Sequence, residues 1–151
     1  MEYDVDLVFR GNLPRLNLAF LEFLPDKSIE IMMDDPADVE VQTGGEIMDV
    51  FRRHPTADCI FKTNDLVIAN RKLKYAFIHI MRMGNTVELL LFFDAQELSA
   101  PTFKKNLDLL AAWSASFREE FGFDEFDCRI DNGDADERYF NDQGTGPLYP
   151  V

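Results

Sequence analysis

The sequence contains few cysteines and no long apolar run, and both shortages narrow the classes of protein it can encode. Its two cysteines, Cys59 and Cys128, form neither a CxxC pair nor a zinc-ligand pattern, so we expect reduced thiols in a cytoplasmic protein. The longest apolar run, LLLFFDA, is interrupted by an aspartate and is far shorter than the roughly 18 residues of a membrane span. The acidic start is unlike a signal peptide. We therefore expect no membrane insertion and no export.

Basic residues are also scarce, with 15 Lys and Arg against 28 Asp and Glu and a net charge of −13. Residues 1–50 hold 12 acidic and 3 basic side chains, and residues 119–151 hold 10 and 2. Lys and Arg drive the binding of phosphate groups, so nucleic acid and anionic membranes are excluded as expected partners. A basic protein surface is the partner that such a field attracts.

Apolar residues are abundant, at 46% of the chain, and 14 of them are phenylalanines. A chain this apolar is not disordered, and 151 residues fit one domain with a proper core. We find no linker and no internal repeat. The sequence predicts a single α+β domain over residues 1–151, with an acidic C-terminal segment containing Gly and Pro from about residue 131.

Three segments have helical patterns. Asn12 and Pro14 suit the start of a first helix whose apolar stripe runs from Leu13 to Leu24. Thr43 and Glu46 have the spacing of a capping box, which begins a second helix. In the segment 99–122, apolar residues recur at helical spacing between a capping Ser99 and Gly122 at the C-terminal end. We therefore predict about three helices.

The clearest strand signal is KYAFIHIMRM followed by Gly84-Asn85 and TVELLLFFD. A two-residue Gly-Asn loop suits a tight hairpin turn, which places His79 opposite Leu90 and Phe77 opposite Phe92. Both faces of the hairpin are apolar at their centres, so it is central and covered on both faces, or one face meets a partner. The fold class is α+β, a mainly antiparallel sheet around this hairpin, packed by the helices.

Two segments resemble ligand-binding loops, and neither fits. The acidic stretch after Asp127 breaks the calcium-loop pattern in every register, because Arg, Ile or Ala falls where an oxygen ligand is required. Thr43-Gly44-Gly45 precedes a helix, but Glu46 would repel a phosphate there. We predict no metal, no cofactor and no catalytic residue.

One alternative is a small enzyme or ligand-binding domain with a pocket near Tyr75, His79 and Glu88. On the predicted pairing Glu88 lies diagonal to His79, and such a pair can transfer protons. No motif places a nucleophile beside it, so a packed, hydrogen-bonded histidine is the favoured interpretation.

The C-terminal segment is the predicted partner-binding site. It combines carboxylates that attract a basic surface with aromatic residues of the kind that anchor interfaces, and the predicted site residues are Asp131, Asp134, Asp136, Glu137, Tyr139, Phe140 and Tyr149. The aromatic residues have a second interpretation, in which they pack back on the domain.

The lead hypothesis is a non-enzymatic acidic protein that binds a basic protein partner, such as an immunity or inhibitor protein acting against a toxin. Besides the pocket hypothesis, a second alternative is a structural homo-oligomer, for instance a homodimer joined through the second hairpin face.

Overall fold

The computed structural model describes residues 3–23, 28–35 and 39–150. Its main feature is an antiparallel sheet of eight strands in the order β10-β9-β8-β1-β7-β6-β3-β2, and β4 and β5 form a separate pair. The strands are β1 Asp4–Asn12, β2 Ser28–Asp35, β3 Thr56–Thr63, β4 Val67–Ile68, β5 Arg71–Lys72, β6 Ala76–Met83, β7 Thr86–Asp94, β8 Glu125–Ile130, β9 Arg138–Asn141 and β10 Gly144–Thr145. The predicted α+β class with a large antiparallel sheet is confirmed.

The hairpin of β6 and β7 lies in the middle of the sheet, with β3 on one side and β1 on the other. His79 pairs with Leu90 and Phe77 with Phe92, so the predicted register is confirmed. Gly84 in the turn has φ +62°, a left-handed conformation that glycine adopts without steric cost.

The described residues form two α-helices, not about three: α1 Gly44–Arg53 and α2 Phe103–Phe121. The third predicted helix, which followed Asn12, is instead a turn and a short 3₁₀ helix, Leu18–Phe23. Leu24, at the end of its predicted stripe, lies outside the described residues. No helix in the described part of the chain is long and apolar enough to cross a membrane.

A tertiary hydrogen bond of Asn17 explains why the first predicted helix does not continue. The Leu13 N–H, which has no acceptor within a helix that begins there, donates to the Asn85 carbonyl in the hairpin turn at 2.7 Å. The Asn17 N–H donates to the carbonyl of Phe121 at 2.9 Å, although a helix would direct it to Leu13. The backbone is therefore tied to the hairpin and to the end of α2.

Of the three cap residues predicted for α1 and α2, the structure has two, Thr43 and Gly122, but not Ser99. The Glu46 N–H donates to Thr43 Oγ1 at 3.3 Å at the start of α1, as predicted. Gly122 closes α2 in the left-handed region, at φ +79°. The N-cap of α2 is Thr102 and not Ser99, which ends a preceding 3₁₀ helix over Ala95–Leu98.

The helices cover one face of the sheet, and the hydrophobic core lies between the helices and that face. Phe9 of β1 is fully buried there, with its ring centroid 4.8 Å from that of Phe117 and 5.4 Å from that of Phe123. The Trp113 ring meets the same side chain edge-on at 6.1 Å. Because side chains alternate along a strand, Val5 and Leu7 share this buried side with Phe9, and the even-numbered side chains of β1 point away from the helices.

Candidate protein-binding surface

The sheet face opposite the helices, which we call the open face, consists of alternate side chains from five adjacent strands. Two rows of paired residues cross it: Ile60, His79, Leu90, Val8 and Asp127, and beside them Lys62, Phe77, Phe92, Asp6 and Arg129. All but Val8 and Asp127 are half-buried. Among the described elements, neither α-helix packs on these rows, and most of their side chains keep some exposure to solvent.

Two grooves lie on either side of Phe77 on the open face. The first, which we call the acidic groove, has a volume of about 310 Å³ and is lined by Asp6, Tyr75, Phe77, Leu90, Phe92, Asp131 and Asn132. The second, the apolar groove, has a volume of about 300 Å³ and is lined by Met32, Ile60, Phe61, Lys62 and Phe77. Both are shallow recesses with apolar floors, of the kind into which interface side chains insert.

An ion-pair network lies beside the acidic groove. The Arg10 guanidinium contacts Glu88 Oε2 at 3.2 Å, Asp127 Oδ2 at 3.4 Å and Glu125 Oε1 at 3.8 Å. Burial alone would lower the pKa of Arg10, but Glu88 and Asp127 outweigh it and the pKa is raised. Arg129 shares Asp127 at 3.2 Å. These charges are largely balanced within the protein.

Asp6 has no cationic partner among the described ion pairs. Its carboxylate accepts a hydrogen bond from the Asn132 N–H at 3.0 Å. Burial raises the pKa of the Asp6 carboxyl, this hydrogen bond acts against the rise, and the charge of Asp131 adds to it. The carboxylates of Asp127 and Asp4 raise the pKa further. The acidic groove therefore holds a partly desolvated negative charge beside other negative charges.

The predicted pocket of Tyr75, His79 and Glu88 is not assembled. His79 Nε2 forms a short contact with Asp58 Oδ1 on β3, and Glu88 pairs with Arg10. Tyr75 lines the acidic groove, whose lining includes neither of the other two. His79 is a half-buried, hydrogen-bonded residue, and its carboxylate partner could not be found from the hairpin sequence because β3 supplies it.

The predicted C-terminal site separates into an exposed part and a packed part. Asp131, Asp134 and Asp136 are exposed, around a short 3₁₀ helix, Ala135–Glu137. Glu137 is half-buried and accepts the Asp134 N–H at 3.2 Å. Residues 131–137 connect β8 to the last strands of the sheet. We call them the acidic edge, after these four carboxylates.

The aromatic residues of this segment pack against the domain. Tyr139 is 6% exposed and Phe140 2%, and their rings contact Phe103 and Phe126 with centroid distances of 5.4 and 6.1 Å. Tyr149 is half-buried against the same core. Burial leaves the Tyr139 and Phe140 rings unable to serve as exposed anchors, so the predicted site rests on the carboxylates.

No group of three or more His, Cys, Asp or Glu side chains that could hold a metal ion occurs within residues 3–23, 28–35 and 39–150. The groove residues Asp6, Phe77, Leu90 and Phe92 were missed in the sequence as site residues. Their signal was the second apolar face of the hairpin, together with the alternating acids of β1.

Comparison with known proteins agrees with this architecture. One chain of the 1.75 Å crystal structure of the toxic C-terminal tip of CdiA from Pseudomonas aeruginosa in complex with immune protein has a similar fold, with a TM-score of 0.71 and 16% identity. The similarity covers 97% of the present chain and 98% of the other. No curated protein matches the sequence.

A family model provides the closer assignment, because it matches the sequence itself. The model of the PABL017 Cdi1I immunity protein matches residues 12–145, which include nine of the ten strands in full and both α-helices. With nearly the whole chain matched, the protein belongs to the PABL017 Cdi1I immunity protein family.

Proposed function

We propose that this protein is an immunity protein that binds a toxin protein and blocks its action. The observation that carries the proposal is the family match over residues 12–145. The fold shared with a chain of a toxin–immunity complex supports it. An inhibitor of this kind acts by occupying its partner, so it needs no catalytic group of its own.

We further propose that the toxin presents a basic surface to the acidic edge. The net charge of −13 favours a cationic partner, because complementary charge speeds association and disfavours wrong partners. Asp131, Asp134 and Asp136 are exposed and have no cationic partner in the described ion pairs. They are thus available to a second protein.

The proposed function is tested by co-expression. Toxic C-terminal tips of CdiA-type proteins from the same genome would be expressed one at a time, with and without this protein, and growth measured. We expect one toxin to be neutralised and to co-purify with this protein in a stoichiometric complex. Failure of every toxin to be neutralised or bound would refute the proposal.

The acidic edge is tested by charge reversal. The triple substitution Asp131→Lys, Asp134→Lys and Asp136→Lys is expected to weaken toxin binding by about 100-fold or more, since like charges would then meet. The matched control reverses three exposed acids on α2, Asp108, Glu119 and Glu120, and so changes the net charge equally. Equal loss of affinity in both triple variants would show that net charge and not the acidic edge matters.

A further inference from the structure

The acidic groove combines two kinds of surface that together recognise one kind of side chain. Its floor is apolar, with Phe77 and Phe92 paired across β6 and β7 and Leu90 beside them. Asp6 and Asp131 contribute carboxylates to the same groove. A long side chain with a planar cation can stack on phenyl rings while its charged end meets carboxylates.

None of the described ion pairs involves Asp6 or Asp131, and Arg129, which lies opposite Asp6 on β8, contacts Asp127 instead. On the same strand, Arg10 is surrounded by three carboxylates within 3.8 Å, whereas Asp6 has one donor among the described hydrogen bonds, the backbone N–H of Asn132. Its strongest charged neighbours are carboxylates, Asp131 first among them. A cation placed in the groove would relieve this repulsion, and that gain is present only in a complex.

We propose that the acidic groove receives an arginine side chain of the bound toxin, with the guanidinium between Asp6 and Asp131 and its plane stacked on the Phe92 ring. This inference rests on the proposed function and deepens it, because it assigns a part of the open face to the toxin interface. It also extends the interface from the acidic edge onto the sheet, through Asp131, which belongs to both.

Charge and shape favour an arginine of a partner over other occupants. A metal ion would gain nothing from the phenyl floor, which offers no oxygen ligands. A second copy of this chain would bring a net charge of −13 against the same charge, which opposes association. Lysine lacks the planar group that stacks on a ring and forms two hydrogen bonds to one carboxylate.

The test uses the toxin identified by co-expression and measures its dissociation constant by calorimetry. Asp6→Asn and Asp131→Asn are each expected to weaken binding by about 10- to 100-fold, and Phe92→Leu by roughly 3- to 10-fold, because it keeps the apolar floor and removes the ring. The controls Asp108→Asn and Glu119→Gln, on α2, change the charge equally and are expected to bind as the parent does. Thermal melts establish that each variant is folded.

A double-mutant cycle identifies the occupant. Each exposed arginine of the toxin is changed to Gln and combined with Asp6→Asn. For one of these arginines, we expect the loss of affinity in the double variant to be far smaller than the product of the two single losses. Normal affinity of the Asp6, Asp131 and Phe92 variants, with the toxin still bound and neutralised, would overturn this proposal and leave the proposed function standing. Two other outcomes would also overturn it. One is coupling of Asp6 to a toxin lysine instead of an arginine, and the other is a dimer of this chain that dissociates in these variants.

Discussion

At the scale of single residues, Asp6 and Arg10 lie on the same face of β1, but neighbouring carboxylates stabilise the charge of Arg10 and destabilise that of Asp6. Both side chains point to the open face from β1, four residues apart. Arg10 is held by carboxylates from β7 and β8, whereas burial and neighbouring carboxylates raise the pKa of Asp6. A buried charge that its own protein does not compensate reduces folding stability, and such residues concentrate at functional sites.

The first prediction concerns Asp6 and stability. Its raised pKa means that the folded state disfavours the charged form, so this residue lowers stability at a pH above its ordinary pKa of 3.8 and not below it. Asp6→Asn is therefore expected to raise the free energy of unfolding at about pH 7 and to leave it unchanged at about pH 2.5. Urea denaturation at both pH values measures this; a destabilised variant at neutral pH would contradict it.

The second prediction concerns the two free thiols. Cys59 and Cys128 are fully buried, and burial raises the pKa of Cys59 to about 12 and that of Cys128 well above its ordinary value. Because only the thiolate reacts, neither should react with Ellman's reagent at about pH 8 in the folded protein, and both should react after unfolding in guanidinium. Rapid labelling of the native protein would disprove the burial of the thiols.

At the scale of elements, the end of α2 is the point where helix, turn and sheet are tied together. Gly122 adopts φ +79°, and a Cβ added there would lie 2.5 Å from the Arg15 carbonyl oxygen. The neighbouring hydrogen bond from Asn17 to Phe121 joins the same two segments. The position therefore requires glycine for its backbone angle and for space.

The third prediction separates those two requirements. Gly122→Ala is expected to lower the free energy of unfolding by about 3 kcal/mol, from left-handed strain together with the clash. Gly84→Ala provides the control, because Gly84 has φ +62° but no atom within 4 Å of an added Cβ, and it should cost only about 1 kcal/mol. Equal losses in thermal or urea unfolding would show that the contact with Arg15 is unimportant.

The elements that the sequence predicted well are those fixed by local chemistry. The Gly84-Asn85 turn sets the hairpin register by itself, and the spacing of apolar residues in α2 sets its buried side. The helix predicted after Asn12 failed because the Asn17 N–H donates to the distant carbonyl of Phe121 and not to that of Leu13. No local pattern contains that information.

The candidate site was only partly predictable for the same reason. Asp131, Asp134 and Asp136 are recognisable in the sequence as an acidic turn and are exposed in the structure. The acidic groove joins Asp6 of β1 to Phe77 and Phe92 of the hairpin, and this needs the pairing of β1 with β7, which lies some 80 residues further along the chain. The sequence left open whether the second apolar face of the hairpin was covered or met a partner, and it did not show what lies beside that face.

At the scale of the whole molecule, the net charge of −13 acts over distances that depend on salt. Raising the ionic strength from about 0.01 M to about 1 M shortens the screening length from roughly 30 Å to 3 Å. The association rate of the toxin is therefore expected to fall by at least about tenfold over this range, while its dissociation rate changes much less.

Stopped-flow fluorescence across this salt range tests that fourth prediction. The α2 triple variant and the acidic-edge triple variant have the same net charge. Slower association at low salt and a weaker dependence on salt in the acidic-edge variant would locate the attraction at the acidic edge. An association rate independent of salt in the parent protein would contradict electrostatic attraction altogether.

The place of β1 in the sheet has a consequence for how the protein matures. Strand β1 lies between β7 and β8, and both of these neighbours are synthesised long after it. Pairings between such distant segments form slowly, and until they do both edges of β1 are unpaired. A nascent chain that ends before β7 therefore has neither an ordered acidic groove nor a closed core, and the proposed toxin-binding surface cannot form until β7 and β8 have been synthesised.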